Sequence, residues 1–176
     1  MRSDRHAVDL SDAVILVVDD VAANRQVLSA ILRKAGYQVL SAGNAAQALQ
    51  RVEVQVPDLI LLDIMMPGDD GYSLCAKLQE HPRTQDVPII FLSALRDIGD
   101  KLKAFELGGA DYVTKPVHGA EVLARVTHQL KIARLHKALE QEKAELVRLN
   151  QELRTSKLQT ANVFSALSEH LPGSIL

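Results

Sequence analysis

AVILVVDD (residues 13–20) and LILLD (residues 59–63) decide the fold. Each is an apolar run of strand length that stops at acidic side chains, Asp19 and Asp20 in the first and Asp63 in the second. Runs this apolar are what strands covered on both faces require. Two of them delivering charge at the same end imply neighbouring parallel strands whose carboxyl ends share one rim of an open sheet. Three carboxylates gathered on that rim repel one another. A hard divalent cation with oxygen ligands, Mg²⁺, is the simplest compensation.

Outward from these two runs, apolar stretches alternate with helical patterns. Strands are expected at 13–18, 38–41, 59–62, 88–92 and 112–114, the first, third and fourth central and the other two peripheral. Between them, residues 24–35 carry Val27, Leu28, Ile31 and Leu32 at helical spacing and stop at Gly36. Helices follow at 44–54, 72–80 and 96–107, the last ending at Gly108 and Gly109. The fold class is therefore α/β, a doubly wound five-stranded parallel sheet.

Composition excludes several classes of function. The 176 residues carry 20 basic and 22 acidic side chains, which gives no global signature of a nucleic-acid or membrane partner. A single cysteine, Cys75, excludes an intramolecular disulfide framework, points to a reducing cytoplasm and reads as a small apolar helix residue. No apolar run approaches the roughly 18 residues that span a bilayer. Residues 1–10 are polar and read as a flexible tail; the core domain is expected over 11–130.

After Pro116 the strands stop and one long helix begins. Leu123, Val126 and Leu130 share a face in its first part, whereas Ile132, Leu135, Leu139, Leu146, Leu149 and Leu153 form a heptad seam pointing roughly the opposite way. One continuous helix can then pack on the domain early and present a parallel coiled coil to a second copy later. Such an amphipathic stretch more often docks on its own domain, but the domain's helices are already accounted for and the Leu seam would otherwise face water. The seam is expected over 131–160, weakened by Glu142 at a core position and by Ser156 and Thr160. Glu152 and Lys157 supply a possible cross-strand ion pair of small value. Residues 161–176, ending in LPGSIL, read as a linker or the entrance to an effector domain. Seven Lys or Arg over 131–157 are interleaved with acids, so direct DNA binding is not expected.

Two more residues complete the rim: Ser93 after the fourth strand and Lys115 after the fifth. Carboxylates, a hydroxyl and an ammonium together suit phosphoryl transfer, in which charge spreads over three oxygens and a carboxylate can itself accept the group. Taken singly, Ser93 reads as a helix cap, Lys115 as a surface charge and Tyr112 as packing; beside the aspartates the functional reading outweighs these. Met65 and Met66 read as packing residues, His81 and His118 as surface loop and helix-start residues.

The motifs VVDD (17–20), LLDIMMPGDDGY (61–72), FLSA (91–94) and GADYVTKP (109–116) resemble the response-regulator receiver domains of two-component signalling, over roughly two-thirds of the chain. The resemblance implies a flavodoxin-like receiver fold with Asp63 as phosphoacceptor, charged by a sensor histidine kinase or phosphotransfer protein. It implies that Asp20, Asp63 and the Met65 backbone carbonyl bind Mg²⁺, that Asp19 holds a metal-bound water, and that Ser93 and Lys115 bind phosphoryl oxygens. It further implies a switch in which Ser93 moves inward and Tyr112 follows, and a cis Lys115–Pro116 peptide. Gly71 and Ala94 fit its small-residue positions, while Val21 departs from the acidic residue often found there. Met65 and Leu95 flank the site and cannot orient a water, so the phosphorylated state is expected to decay slowly.

By this resemblance the chain is a cytoplasmic signalling module rather than an enzyme. It is expected to homodimerise through its C-terminal helix and to pass the state of Asp63 to an effector domain. The alternative is a stand-alone receiver or adaptor read by a partner protein. A haloacid-dehalogenase-like phosphatase also uses a strand-end Asp with Mg²⁺, but places a second Asp where Met65 stands. The run ELRT (152–155) resembles a histidine-kinase phosphoacceptor box, but Gln151 stands where the reactive histidine would be.

Overall fold

The computed structural model describes residues 8–68, 70–94 and 98–170. Five strands form one parallel sheet: β1 (Val14–Val18), β2 (Gln38–Ala42), β3 (Leu59–Asp63), β4 (Ile89–Ser93) and β5 (Asp111–Thr114). Their order is β2-β1-β3-β4-β5, so the two strands expected to be peripheral are the two edges. Every residue of β1, β3 and β4 is buried, as strands sandwiched between helical layers must be. The connecting helices are α1 (Ala22–Lys34), α2 (Ala45–Val54), α3 (Gly71–Glu80) and α4 (Ile98–Glu106), with α5 (Gly119–Glu169) closing the chain.

Alternation along each strand builds two cores. Leu16, Val18, Ile60, Leu62, Ile89, Phe91 and Tyr112 meet Leu74, Cys75 and Leu78 on one side of the sheet. Ile15, Val17, Leu59, Leu61, Ile90, Leu92 and Val113 meet Leu28, Leu32, Val122, Val126 and Leu130 on the other. Period-two side chains from a parallel sheet demand this double covering. Cys75 is fully buried and its thiol is pushed up to about 11 by that burial, so it is a packing residue.

Local sequence sets the joints. Asn44 and Asp70 cap α2 and α3 by accepting from the Gln47 and Ser73 amides. Gly36 and Gly108 take positive φ where α1 and α4 end. Gly71 answers a different demand: a Cβ there would lie 2.4 Å from the Asp63 carbonyl oxygen, so only glycine lets α3 begin against the end of β3.

Three expectations need correction. Residues 8–10 are not loose, because Leu10 packs on the second core and the Asp9 carbonyl and Asp12 carboxylate both accept from Arg134. Residues 1–7 and the tail 171–176 lie outside the described residues, as do residues 96 and 97, where α4 was expected to start. The long helix passes its expected end at 160 and runs to Glu169, with Val163 and Leu167 at the seam spacing that Ser156 and Thr160 interrupt. Finally, Met66 is buried as a packing residue should be, whereas Met65 is 63 % exposed. The loop after β3 has no periodicity from which to tell the two apart.

The chain divides into two compact units, 1–134 and 135–176. In the first, Val122, Val126 and Leu130 of α5 are buried, with Leu123 partly so. In the second, Leu135, Leu139, Leu146, Leu149 and Leu153 are exposed. Among the described residues no helix is long and apolar enough to cross a membrane.

Candidate functional site

The register of the sheet assembles the rim. Val18 pairs with Leu62 and Asp63 with Leu92, so the ends of β1, β3 and β4 finish side by side. Ser93 pairs with Thr114, and the Lys115 amide donates to the Ser93 carbonyl at 2.7 Å, which brings the end of β5 to the same edge. All the residues expected at the rim therefore converge on one end of the sheet.

Asp19, Asp20 and Asp63 each offer an oxygen within 4.8 Å of the others. Their environments differ sharply. Asp19 is fully buried, and its carboxylate accepts from the Val21 amide at 2.9 Å and from the Asn24 side-chain amide at 3.2 and 3.4 Å. Asp63 is buried at the foot of the site, with Oδ1 accepting from the Met65 amide at 3.1 Å. Asp20 is exposed and opens the cluster to solvent.

Lys115 bridges the two buried acids. Its Nζ lies 2.9 Å from Asp63 Oδ2 and 3.1 Å from Asp19 Oδ2. Burial alone would disfavour the ammonium, but the bonds to Asp63 and Asp19 outweigh it and hold the lysine above its ordinary range. For Asp63 the balance falls the other way. Burial raises its pKa and exceeds the lowering by Lys115 and the Met65 amide. Such a carboxylate gains from further positive charge. Three oxygen-only ligands with that deficit fit a hard divalent ion such as Mg²⁺.

The remaining expected residues occupy the same strands. Ser93 is fully buried and lies on the face of the sheet that also carries Phe91 and Tyr112. Tyr112 is packed inward, in the core beside Phe91, and the Lys101 ammonium stands 5.4 Å above its ring. Lys115–Pro116 is cis. Met65 lies exposed at the mouth, and Leu95 lies outside the described residues. His81 follows α3 at the surface, and its ring bonds the Glu53 carboxylate at 2.8 Å.

Two site residues were missed from sequence. Asn24 holds the Asp19 carboxylate, and the Arg25 guanidinium donates to the Asp19 and Asp20 carbonyls at 2.7 and 3.2 Å. The available signal was their offset: the first turn of a helix that begins two residues after Asp20 points polar side chains back at the strand end.

Known proteins carry the same pattern. The model of the response regulator receiver domain matches residues 15–127. The response regulator PleD of Caulobacter vibrioides is 42% identical over 114 residues, 65% of this chain and 25% of that protein. The DNA-binding dual master transcriptional regulator RpaA of Synechocystis is 44% identical over 119 residues, 66% of this chain and 48% of its own length. A putative response regulator from Chloroflexus aurantiacus superposes with a TM-score of 0.65 at 39% identity, covering 68% of this chain and 98% of that one. The chain thus spans only a quarter to about half the length of these curated relatives.

Proposed function

The chain belongs to the response regulator receiver family of two-component systems, and on that premise we propose that Asp63 accepts a phosphoryl group from a phosphohistidine of a sensor kinase or phosphotransfer protein. The observation that carries this reading is the Lys115 ammonium 2.9 Å from a buried Asp63 whose proton affinity is raised by burial. One Asp63 oxygen forms a bond to phosphorus as the N–P bond of the donor breaks, and the imidazole leaves with that electron pair. Lys115 then moves from carboxylate to phosphoryl oxygen, and the Ser93 hydroxyl donates to another. Asp20, Asp63 and the Met65 carbonyl would hold Mg²⁺, with Asp19 bonding a water of that ion. The ion when bound neutralises charge on the transferring group.

The output follows from what Ser93 and Tyr112 share. Both lie on one sheet face, so drawing the Ser93 hydroxyl towards a phosphoryl oxygen changes the packing around Tyr112 and, through Lys101, the surface of α4. The exposed seam of α5 supports a parallel homodimer that passes this state to a cytoplasmic effector. Exposed Met65 has a thioether that cannot orient an attacking water, which favours a long-lived acyl phosphate over turnover.

An assay with a small acyl phosphate and Mg²⁺ separates this function from a phosphatase. Uptake should stop at stoichiometric labelling of the chain, with no sustained hydrolysis of p-nitrophenyl phosphate. Sustained release of phosphate from p-nitrophenyl phosphate would replace the receiver function with a haloacid-dehalogenase-like one.

A further inference from the structure

Asn24 and Arg25 stand in the first turn of α1, and the chemistry above gives neither a task. Asn24 donates its side-chain amide to both oxygens of Asp19, which the Val21 amide also holds. Arg25 ties down the main chain instead, through the carbonyls of Asp19 and Asp20. The buried acid is thus oriented by neutral dipoles on one side, while the nearest arginine is engaged by backbone oxygens.

That division has a physical consequence. A fully buried carboxylate beside two others needs hydrogen-bond donors that hold it correctly turned. A cation placed on it for that purpose would repel a divalent ion arriving at the same cluster. The Asn24 amide orients Asp19 without adding charge. Lys115, the cation that does touch Asp19, is the one that must leave for phosphoryl oxygens.

We infer that Asn24 is a positioning residue that sets the Mg²⁺ affinity of the acidic cluster by fixing the Asp19 carboxylate, with Arg25 holding the loop that carries it. This inference rests on the Mg²⁺ role proposed above. Its test is calorimetric titration of Mg²⁺ into the full chain with no phosphoryl donor, for wild type, Asn24→Leu, Asn24→Ala and Arg25→Met. Loss of the Asn24 bonds should raise the dissociation constant by roughly three- to ten-fold, within the net contribution of one hydrogen bond. Arg25→Met should act in the same direction. In phosphorylation assays the loss should fall on the Mg²⁺ concentration giving half-maximal rate rather than on the rate at saturation.

Unchanged affinity in both Asn24 variants, with wild type binding Mg²⁺, would overturn the inference and leave the metal role standing. Reduced stoichiometry at unchanged affinity, together with earlier melting in EDTA, would mean a folding role and would equally overturn it. No Mg²⁺ binding by wild type would remove both.

Discussion

Leucines and valines serve opposite purposes in two regions of the molecule. In the sheet and the start of α5 they are hidden: Leu61, Leu62, Val122 and Val126 have no exposed surface. In residues 135–169 the same residue types stay exposed, from Leu149 at 47 % to Leu158 at 65 %. Burial in the first region fixes a rim of charged side chains. Exposure in the second, at a spacing of alternately three and four residues, leaves a stripe that a second copy can cover. A core residue should therefore report on folding, and a seam residue on association.

The largest expected effect tests that division. Phe91→Ala, in the core beneath the site, should destabilise the chain by about 3–5 kcal/mol in denaturant unfolding. Leu146→Ala should leave the unfolding of the first unit unchanged and shift sedimentation towards monomer. If Leu146→Ala destabilised the first unit as Phe91→Ala does, or if wild type sedimented as a monomer at every concentration, the proposed role of the seam would be lost.

A second substitution sharpens the seam itself. Glu142 stands at a core position, where two copies in parallel register would bring like charges together. Glu142→Leu should tighten the dimer, on the order of tenfold, with no change in phosphoryl uptake. Weaker association would show that Glu142 lies outside the contact and that the register is different.

The smallest effect belongs to the first region. Asp70 caps α3, and the hydrogen bonds from Ser73 hold its carboxyl below the ordinary carboxylate range. A depressed carboxyl contributes stability above its unfolded pKa and loses it as pH falls through the lower folded value. Asp70→Ala should cost about 1 kcal/mol near neutrality. The gap between the two proteins should narrow as the pH falls through that depressed value. A gap that persisted in acid would mean that packing, not the ionised cap, distinguishes them.

The legibility of the sequence follows the same division. Uninterrupted apolar runs ending in Asp19 and Asp63 announced central strands and a common rim, and the weaker runs at 38–41 and 112–114 became the edges. What escaped was local and polar. Asn24 and Arg25 make contacts that depend on where α1 starts, and no hydrophobic period marks that point. Met65 and Met66 are chemically identical neighbours in a loop, so only the fold decides that one is buried. The Arg134 bonds to Asp9 and Asp12 join residues more than 120 positions apart, beyond the reach of any local pattern. At the far end, Ser156 and Thr160 masked a helix whose apolar spacing resumes at Val163.

Intact-mass measurement after incubation with a small acyl phosphate and Mg²⁺ tests the central claim most directly. Wild type should gain the mass of a single phosphoryl group, lose it only slowly at neutral pH, and show no gain when Asp63 is replaced in Asp63→Asn. Equal labelling of Asp63→Asn, or no labelling of wild type, would contradict the assignment of Asp63 as the phosphoacceptor.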